Sequence, residues 1–323
     1  MKVLIIKQFT AAANDVGVRI SRFVENVTKN MPSSLLHKGF RNKRIKINNK
    51  AVKEDYRICE NDLIELYIND EFFSLENTLE TETVNNNLPK PDIIFEDENL
   101  LIVNKPMRQL CHSDVTNDIT LIDIVKNYLT QKGEYNKSTE NTFSPALCNR
   151  LDRGTSGLVI CAKNYPALRD MNAIISNNLL TKQYQCVCIG TPKNSVYTAF
   201  HKRDLTSKTV TISANEKDDF KPIKTGITVL DEKSGFSLCK IDLFTGKTHQ
   251  IRAHLAFLNH PLLGDKKYGN DTINEKYPFQ NQVLCAYRLI FGKISKDNVL
   301  SYLSGKKITL ENPAPKKIFE NLK

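Results

Sequence analysis

The sequence predicts an α+β protein: a small α+β module at the N-terminus, followed by a larger region built on a mixed, largely antiparallel sheet. Three observations predict this class. Strand-like runs outnumber helical stretches after residue 92, few helices come between consecutive strands, and a linker-like segment precedes this region. Strands that follow one another without crossover helices pair mainly antiparallel, because a parallel connection needs a long crossover.

Residues 1–69 form the predicted small module. The apolar residues with the i, i+3, i+4, i+7 spacing of an amphipathic helix are Ile20, Phe23, Val24 and Val27. A serine of "MPSS" is placed to cap a second helix. Asn48 and Asn49 then predict a tight hairpin, because asparagine tolerates the positive φ of a primed turn. The run "DLIELYI" predicts a closing strand.

The charge of the protein favours a polyanionic partner. Lysines and arginines number 46 and aspartates and glutamates 36, which leaves a formal net charge of +10 and a pI near 9.1. Part of the excess lies on the second helix and the hairpin, at Lys38, Arg41, Lys43, Arg44, Lys46, Lys50, Lys53 and Arg57. Such a cluster is either an ordinary solvated face or a surface that contacts phosphates, and composition alone leaves both open.

The remaining sequence separates into a linker and a large domain. Residues 70–91 are acidic, rich in asparagine and threonine, and contain two prolines near their end, which is typical of a linker. Residues 92–323 form the predicted large domain, with helical stretches near 120–129, 165–178 and 248–258. No apolar run approaches the roughly 20 residues of a membrane helix, and the first residues do not resemble a signal peptide. We therefore expect a cytoplasmic protein with no membrane partner.

Single positions exclude three familiar kinds of site. The segment "GKT" at 246–248 resembles the end of a phosphate-binding loop, but Ile241 stands where that loop needs a glycine. The segment "RGTSGL" lacks the second glycine of a hydrolase nucleophile elbow, because Leu158 occupies its position. His249, His254 and His260 lack the i, i+4 spacing that places two metal ligands on one helix face. We therefore expect no metal site.

The segment "NRLDRGTSGLVICAK", residues 149–163, places one carboxylate, Asp152, between two arginines and ahead of a turn. In an extended segment Arg150 and Asp152 point to the same face. The glycines allow the turn, and its threonine and serine hydroxyls are placed to bond the local backbone. An aspartate side chain is ionised at neutral pH and needs no base to act as a nucleophile. Alternatively, Asp152 only caps the turn or pairs with Arg150 or Arg153, and the pattern leaves both readings open.

This segment resembles the signature of the RluA-type pseudouridine synthases: Arg-Leu-Asp, two variable residues, Thr-Ser-Gly, an apolar run and Ala-Lys. Three further segments match in the family's order: "VNKPMRQLCHS" (103–113), "KQYQCVCIG" (182–190) and "TGKTHQIRAHLAFLNHPLLGDKKYG" (245–269). The chain departs from the family at Asn149, where many members have histidine, and at 107–109, where a small, glycine-containing stretch is usual. Residues 17–68 resemble the S-four-like (alpha-L) RNA-binding domain.

The resemblance implies an enzyme that isomerises uridine in RNA to pseudouridine without a metal or an organic cofactor. It assigns Asp152 the role of nucleophile and Arg252 that of the cation that keeps this aspartate charged. It assigns Tyr184 to stacking on the uracil, with its phenol helping to remove the proton from carbon 5. Arg150 resembles the residue that fills the position that the flipped nucleotide vacates. Arg252→Ala is then expected to lose turnover while folding survives.

Further residues of these segments are expected to bind substrate. Leu255, four residues after Ile251, is expected to line the uracil pocket from a helix that begins near Thr248. The start of this helix, with Lys247 beside it, is suited to hold a phosphate. The residues expected to grip RNA in the small module are Lys38, Arg41, Lys43 and Arg44. Lys105, His112 and Lys163 are expected to touch RNA or brace the cleft, and Asp265 and Tyr268 to shape their loop.

The combination of the two predicted domains resembles enzymes of the ribosomal large subunit. That RNA is therefore the expected substrate and partner, and transfer RNA is the alternative. Two other classes of protein are alternatives. A non-catalytic RNA-binding or ribosome-assembly factor would not need Asp152, Tyr184 and Arg252 together, and a base-excising glycosylase would release free uracil. One catalytic centre per chain suffices for a monomer, and no obligate protein partner is evident.

Overall fold

The structure is a computed structural model that describes residues 6–28, 31–73, 84–113, 118–204 and 206–322. It confirms the predicted α+β class. The chain divides into two compact units: a first unit of residues 1–89, 126–145 and 163–166, and a second unit of residues 90–125, 146–162 and 167–323. Among the described residues, no helix combines the length and the apolar composition needed to cross a membrane.

The described residues of the first unit up to residue 73 form two α-helices and a four-stranded antiparallel sheet. Its elements are β1 (Ile6–Thr10), α1 (Ile20–Val27), α2 (Ser33–Arg41), β2 (Ile45–Ile47), β3 (Lys50–Ala51) and β4 (Leu63–Tyr67), with the strands in the order β1-β4-β2-β3. The four apolar residues predicted for the first helix are all buried on α1. The sheet covers them with Ile45, Ile64 and Leu66, so one hydrophobic core holds the unit together.

Two details of this unit differ from the sequence-based expectations. The second helix begins at Ser33 after Pro32, and no side chain caps it, so the predicted serine cap is wrong. Proline has its φ already near the helical value, which lets the chain enter the helix without a polar cap. The hairpin is as predicted, with φ of 48° at Asn48 and 67° at Asn49. Phe73, three residues into the predicted linker, is buried in the core of this unit, and residues 74–83 lie outside the described residues.

The second unit is built on an eleven-stranded sheet among its described residues. Its strands are β5 (Ile93–Glu96), β6 (Leu100–Lys105), β7 (Ala146–Leu147), β8 (Ser156–Ala162), β9 (Leu180–Ile189), β10 (Ser195–Arg203), β11 (Val210–Ser213), β12 (Lys221–Lys233), β13 (Phe236–Leu243), β14 (Leu284–Phe291) and β15 (Lys307–Thr309). The remaining helices along the chain are α3 (Leu121–Gln131), α4 (Tyr165–Ser176), α5 (Gln250–Phe257), α6 (Asp271–Lys276) and α7 (Ala314–Glu320). The sequence had not indicated α6 or α7.

The order of the strands brings distant parts of the sequence together. The main path runs β11-β10-β12-β13-β9-β14-β8-β6-β5, with β15 beside β14 and β7 beside β8. Among the described strands only β14 and β8 pair in parallel, which makes the sheet mixed and largely antiparallel as predicted. Ala286 of β14 pairs with Tyr184 of β9 on one side and Gly157 of β8 on the other. Neighbouring strands lie about 4.8 Å apart, so Tyr184 comes within two strand spacings of the start of β8.

Gly157 permits the close approach of β8 to β14. Its φ is +117°, a conformation that L side chains rarely adopt. A Cβ atom at this position would lie 2.6 Å from the backbone nitrogen and 2.7 Å from the carbonyl carbon of Ala286. The glycine of the sequence signature is therefore required by the pairing of two buried strands.

We expect Gly157→Ala to lower the free energy of unfolding by about 2–5 kcal/mol, because it adds backbone strain to a clash with a neighbouring strand. Gly235→Ala is the matched control. Gly235 has φ +80° and nothing within 4 Å of the added carbon, so this variant carries the conformational cost alone, about 1–2 kcal/mol. Denaturant unfolding of both variants checks the prediction, and equal losses would show that the contact with Ala286 costs nothing.

Candidate active site

Asp152 lies in the loop between β7 and β8, which hydrogen bonds hold in place. The amide nitrogen of Thr155 donates to the carbonyl oxygen of Asp152 at 3.0 Å, which closes the turn. The hydroxyl of Thr155 does not bond the local backbone as expected from the sequence. It accepts a hydrogen bond from Nε2 of Gln282 at 3.0 Å, on the segment that leads into β14. The turn is thus attached to a second element of the sheet, and the Asp152 side chain remains 29% exposed.

The guanidinium of Arg252, on α5, joins Asp152 to a second aspartate. Arg252 Nη1 lies 3.2 Å from Asp152 Oδ2, so these two residues form the ion pair that the resemblance implied. Arg252 also makes a two-pronged contact with Asp265, with Nε 2.7 Å from Oδ2 and Nη2 2.9 Å from Oδ1. The side chain of Asp265 is fully buried, with 0% exposure. It accepts further hydrogen bonds from the amides of Lys267 and Tyr268. Neither Arg150 nor Arg153 pairs with Asp152 among the described contacts.

The pKa shifts of this group follow from burial and from the paired charges. Burial alone would raise the pKa of Asp265, but the hydrogen bonds and charge of Arg252 outweigh it and hold that pKa below its usual range. Burial would also lower the pKa of Arg252, yet Asp265, and with it Asp152, raises that pKa. The cation beside Asp152 is therefore permanent at any pH at which the protein is folded.

His249 approaches the same carboxylate from the start of α5. Its Nε2 lies 3.8 Å from Asp152 Oδ2, and its Nδ1 lies 2.9 Å from the hydroxyl of Tyr268. Burial lowers the pKa of His249 although Asp152 opposes this shift, so the imidazole is neutral at pH 7. The residue has φ 53° and ψ 18°, and α5 begins only at the next residue, Gln250. The helix thus begins two residues after the position expected from the sequence.

Lys105 braces the loop that carries Asp152. It is completely buried at the end of β6, and its ammonium donates to the carbonyls of Gln109 (2.8 Å) and Pro106 (2.9 Å). A longer contact of 3.3 Å reaches the carbonyl of Arg153, next to Asp152. Burial lowers the pKa of Lys105 to about 8. Of the two roles considered for this lysine, the structure supports bracing of the cleft. Lys163 pairs instead with Glu134 in the first unit.

Asp152 opens into a cleft of about 620 Å³ in the second unit. Asp152 is the only carboxylate among the described residues that line the cleft, whereas the cationic lining residues are Arg150, Lys182, Arg203, Lys247 and Arg252. Thr248 and His112 also line the cleft. The cations of this surface suit a polyanion, and Asp152 supplies the single carboxylate that a bound polyanion would meet.

The apolar wall of the cleft corrects one expectation. Leu255 is completely buried and does not line the cleft, whereas Ile251, one helical turn earlier, does. Both residues lie on one face of α5, because four residues make about one turn, but the helix carries Leu255 away from the opening and into the core. Leu255 therefore supports the helix, and Ile251 is the residue of α5 placed to contact a base.

Tyr184 lines the cleft from β9 and is 7% exposed. Lys182 lies two positions earlier on the same side of the strand and lines the cleft too. Burial raises the pKa of Tyr184, and the negative charge of Asp152 raises it further. The phenol therefore stays protonated near neutral pH, which favours stacking of its ring over proton removal by its oxygen.

Part of this site was not predictable from the sequence. Asp265 was expected only to shape its loop, and no role near Asp152 was expected for His249, Lys182 or Arg203. The signal for Asp265 was weak, because an aspartate after a glycine is common in turns and nothing in the spacing ties it to Arg252. The two lie 13 residues apart along the chain, which is too far for a helical neighbour.

The basic cluster of the first unit forms a separate groove of about 480 Å³ between α2 and the segment after the hairpin. Lys38 and Arg41 line it together with Lys53, and Lys43 and Arg44 are exposed. Its lining residues include one carboxylate, that of Glu54, which lies 2.8 Å from His37 Nδ1. The groove thus presents cations whose charge nearby acids do not cancel, a surface suited to phosphates.

The described residues contain no group of three or more histidine, cysteine, aspartate or glutamate side chains that could hold a metal ion. The site presents a single carboxylate, paired with Arg252, in a cleft lined by cations, which is the arrangement of a class of enzyme that acts on a polyanion. Residues 99–257 match the RNA pseudouridylate synthase family. The chain belongs to this family and is an RNA pseudouridine synthase, which confirms the predicted enzyme class.

Several known proteins are similar to this chain. An RNA pseudouridine synthase of Mycoplasma capricolum is 32% identical over 317 residues, which cover 95% of this chain and 97% of the relative. The ribosomal large subunit pseudouridine synthase C of Vibrio vulnificus is 28% identical over 261 residues, 79% of this chain and 77% of the relative. The solved structure of human RNA pseudouridylate synthase domain containing 1 has a TM-score of 0.51 at 23% identity, covering 73% of this chain and 96% of that one. This last likeness supports the fold.

Proposed function

We propose that this enzyme converts specific uridines of large-subunit ribosomal RNA to pseudouridine, with Asp152 as the nucleophile. The observation that carries this proposal is the placement of Asp152. Its carboxylate is the one negative charge among the described residues of a basic cleft, and Arg252 holds it from 3.2 Å away. A uridine that enters the cleft meets an ionised oxygen that needs no activating base.

The reaction rearranges one bond within a nucleotide. The bond between the ribose and nitrogen 1 of uracil breaks, the base turns, and a new bond forms to carbon 5. Carbon 5 loses a proton and nitrogen 1 gains one, so the mass of the RNA is unchanged. Asp152 forms a transient bond to the nucleotide, and Arg252 stabilises its negative charge when the substrate expels water from the cleft. No step requires a metal or an organic cofactor.

The other side chains of the cleft hold the substrate. The target nucleotide must first leave its stack, at a cost of about a few kcal/mol. Arg150, which lines the cleft, fills the position that this nucleotide vacates. The ring of Tyr184 stacks on the uracil, and Ile251 packs on its edge. Lys247 and Thr248 are exposed or partly exposed at the cleft and contact the phosphates that flank the target.

The basic groove of the first unit increases the residence time of the enzyme on structured RNA. Lys38, Arg41 and Lys53 contact phosphates, and Lys43 and Arg44 extend this surface, in the manner of the S-four-like domain that the module resembles. Such contacts add affinity but carry no sequence choice. The name of the Vibrio vulnificus relative supports the ribosomal large subunit as the RNA.

Pseudouridine mapping tests this function. RNA from cells with and without the gene is treated with carbodiimide, and the positions that retain the adduct are compared. We expect one or more pseudouridines to disappear from large-subunit ribosomal RNA when the gene is absent. If pseudouridines disappear from transfer RNA alone, the substrate is transfer RNA and not ribosomal RNA. Release of free uracil by the purified enzyme would indicate a glycosylase.

A further inference from the structure

One side of the sheet in the second unit has an exposed surface that the proposed reaction does not use. We define the reverse face as Val196, Phe200, Lys202, Phe220, Lys224 and Phe244, which lie on or beside β10, β12 and the end of β13. Residues paired across neighbouring strands point to the same side of a sheet. Phe200 pairs with Pro222, and Thr198 pairs with Lys224, which places these side chains together.

The opposite side of the same strands is buried and contacts the start of α5, where Gln250 Nε2 donates to the hydroxyl of Thr225 at 3.0 Å. Ala199, His201, Ile223 and Thr225 alternate with the exposed residues and are almost completely covered. His201 Nε2 lies 2.9 Å from the carbonyl oxygen of Thr248, next to the cleft. The reverse face is therefore the second surface of a sheet region whose first surface supports the active site.

The reverse face combines exposed rings with lysines. Phe244 is 46% exposed, and the ammonium of Lys224 lies 5.0 Å from the centre of its ring. Lys202 lies 5.9 Å from the ring centre of Phe220. Two carboxylates lie nearby. That of Asp219 is 3.8 Å from Lys202, and that of Asp242, which lies against Gly226 beside the Phe244 ring, is 3.4 Å from the ammonium of Lys240. Large exposed rings beside cations are costly for a surface that contacts only water, and they suit a partner that has flat bases and phosphates.

The reverse face continues into the cleft at the end of β13. Leu243 and Lys247 line the cleft, whereas Phe244 between them points to the opposite side. Thr245 holds the segment after β13 in place. Its hydroxyl donates to Gln250 at 2.9 Å and accepts from the amide of Lys224 at 2.9 Å. Phe244 is therefore held in place directly beside Leu243, a residue that lines the cleft.

We propose that the reverse face binds a single-stranded segment of the RNA substrate that leaves the cleft over this edge. Phe244 stacks on one base of the segment, and Lys224 and Lys202 contact its phosphates. The inference rests on the proposed function, because it assumes an RNA substrate in the cleft. It adds a requirement for unpaired nucleotides beside the target uridine, since only an unpaired base offers its face for stacking.

Binding of a fluorescein-labelled oligouridylate of about 12 nucleotides to the full chain tests this surface. We expect Phe244→Ala to weaken binding about tenfold and Lys224→Ala severalfold. Lys193→Ala is the matched control. It removes one exposed charge from the turn before β10, at the opposite end of this strand from Lys202, and should change binding less than about twofold. Wild-type affinity in Phe244→Ala would overturn the proposal.

Two further replacements identify what Phe244 contacts. Phe244→Tyr keeps a flat ring and should bind like the wild type, whereas Phe244→Leu keeps an apolar side chain without the ring and should bind as weakly as Phe244→Ala. Full binding of the oligouridylate by Phe244→Leu would contradict base stacking, because it would show that a side chain without a ring suffices. Each variant is first checked for an unchanged melting temperature.

Conversion of a large-subunit ribosomal RNA transcript separates this inference from the proposed function. We expect Phe244→Ala to raise KM about tenfold and to leave kcat unchanged, because it removes binding but no catalytic group. If the wild type converts no uridine in this transcript, large-subunit ribosomal RNA is not the substrate. The oligouridylate measurement then still tests whether the reverse face binds RNA. If the wild type converts it and Phe244→Ala has the same KM, only the reverse-face inference fails.

Discussion

Asp152→Asn should lower the rate of uridine conversion by about four to six orders of magnitude, the range seen when a catalytic nucleophile is removed. The amide keeps the shape of the side chain but has no negative oxygen with which to attack the nucleotide. Folding should survive, because Asp265 and not Asp152 makes the two-pronged contact with Arg252. Release of tritium from RNA that contains 5-tritiated uridine measures the rate under single-turnover conditions.

Asp118→Asn is the matched control for this experiment. Asp118 is an exposed carboxylate 2.8 Å from Arg153, the residue after Asp152, and it does not line the cleft. Its replacement should change the rate by less than about threefold, since an exposed pair contributes at most about 1 kcal/mol. Conversion by Asp152→Asn at more than a hundredth of the wild-type rate would remove this aspartate from the mechanism.

Arg252→Ala should lose both activity and stability. The sequence led to the expectation that this variant folds normally. The buried position of Asp265 beside Arg252 instead predicts a loss of stability. Without Arg252 the fully buried carboxylate of Asp265 has no cation among its described contacts, and removal of one partner from a buried pair costs about 3–5 kcal/mol. Denaturant unfolding at pH 7 measures this loss, and the tritium assay measures the loss of turnover.

The stability difference between wild type and Arg252→Ala should depend on pH. In the wild type the pKa of Asp265 is held below its unfolded value, so the ion pair adds stability above about pH 4, and this contribution is lost as the pH falls through the folded pKa. In the variant, burial without a cation should raise that pKa, so protonation relieves the penalty as the pH falls. Both effects act in the same direction, and the difference should narrow on acidification.

Arg288→Ala controls for the removal of a partly buried arginine from the same sheet. Its guanidinium bonds the neutral side chains of Thr309 and Gln183, so its loss exposes no unpaired carboxylate and its effect should not depend on pH in this way. A variant Arg252→Ala that is as stable as the wild type would show that Asp265 does not need the guanidinium. A stable and fully active variant would refute the pairing with Asp152 as a catalytic requirement.

Local patterns of the sequence predicted several elements of both units. The helical spacing of α1, the positive φ at Asn48 and Asn49, and the buried strand after Asp152 all depend on neighbouring residues, which a sequence displays directly. The family resemblance supplied Asp152, Tyr184 and Arg252. The structure places all three in one cleft, while their catalytic roles remain predictions for the experiments above.

Other features depended on contacts that no local pattern contains. Leu255 and Ile251 have the same helical spacing relative to the core, and only the depth of α5 in the fold separates a cleft residue from a buried one. The raised pKa of Tyr184 depends on burial and on a carboxylate 32 positions earlier in the chain. Helices α6 and α7 are short and weakly patterned, so their packing rather than their propensity decides that they form.

The sequence by itself determined the class of fold, the enzyme family and the identity of the carboxylate. Hydrophobic periodicity and the order of motifs are properties of the linear sequence, so they can be read without knowing which elements contact each other. Only the tertiary structure decided that Arg252 bridges two aspartates, one of them 100 residues away along the chain and the other fully buried. The physical reason is that charge pairing depends on distance and on exclusion of water, and both are set by how the strands and α5 pack.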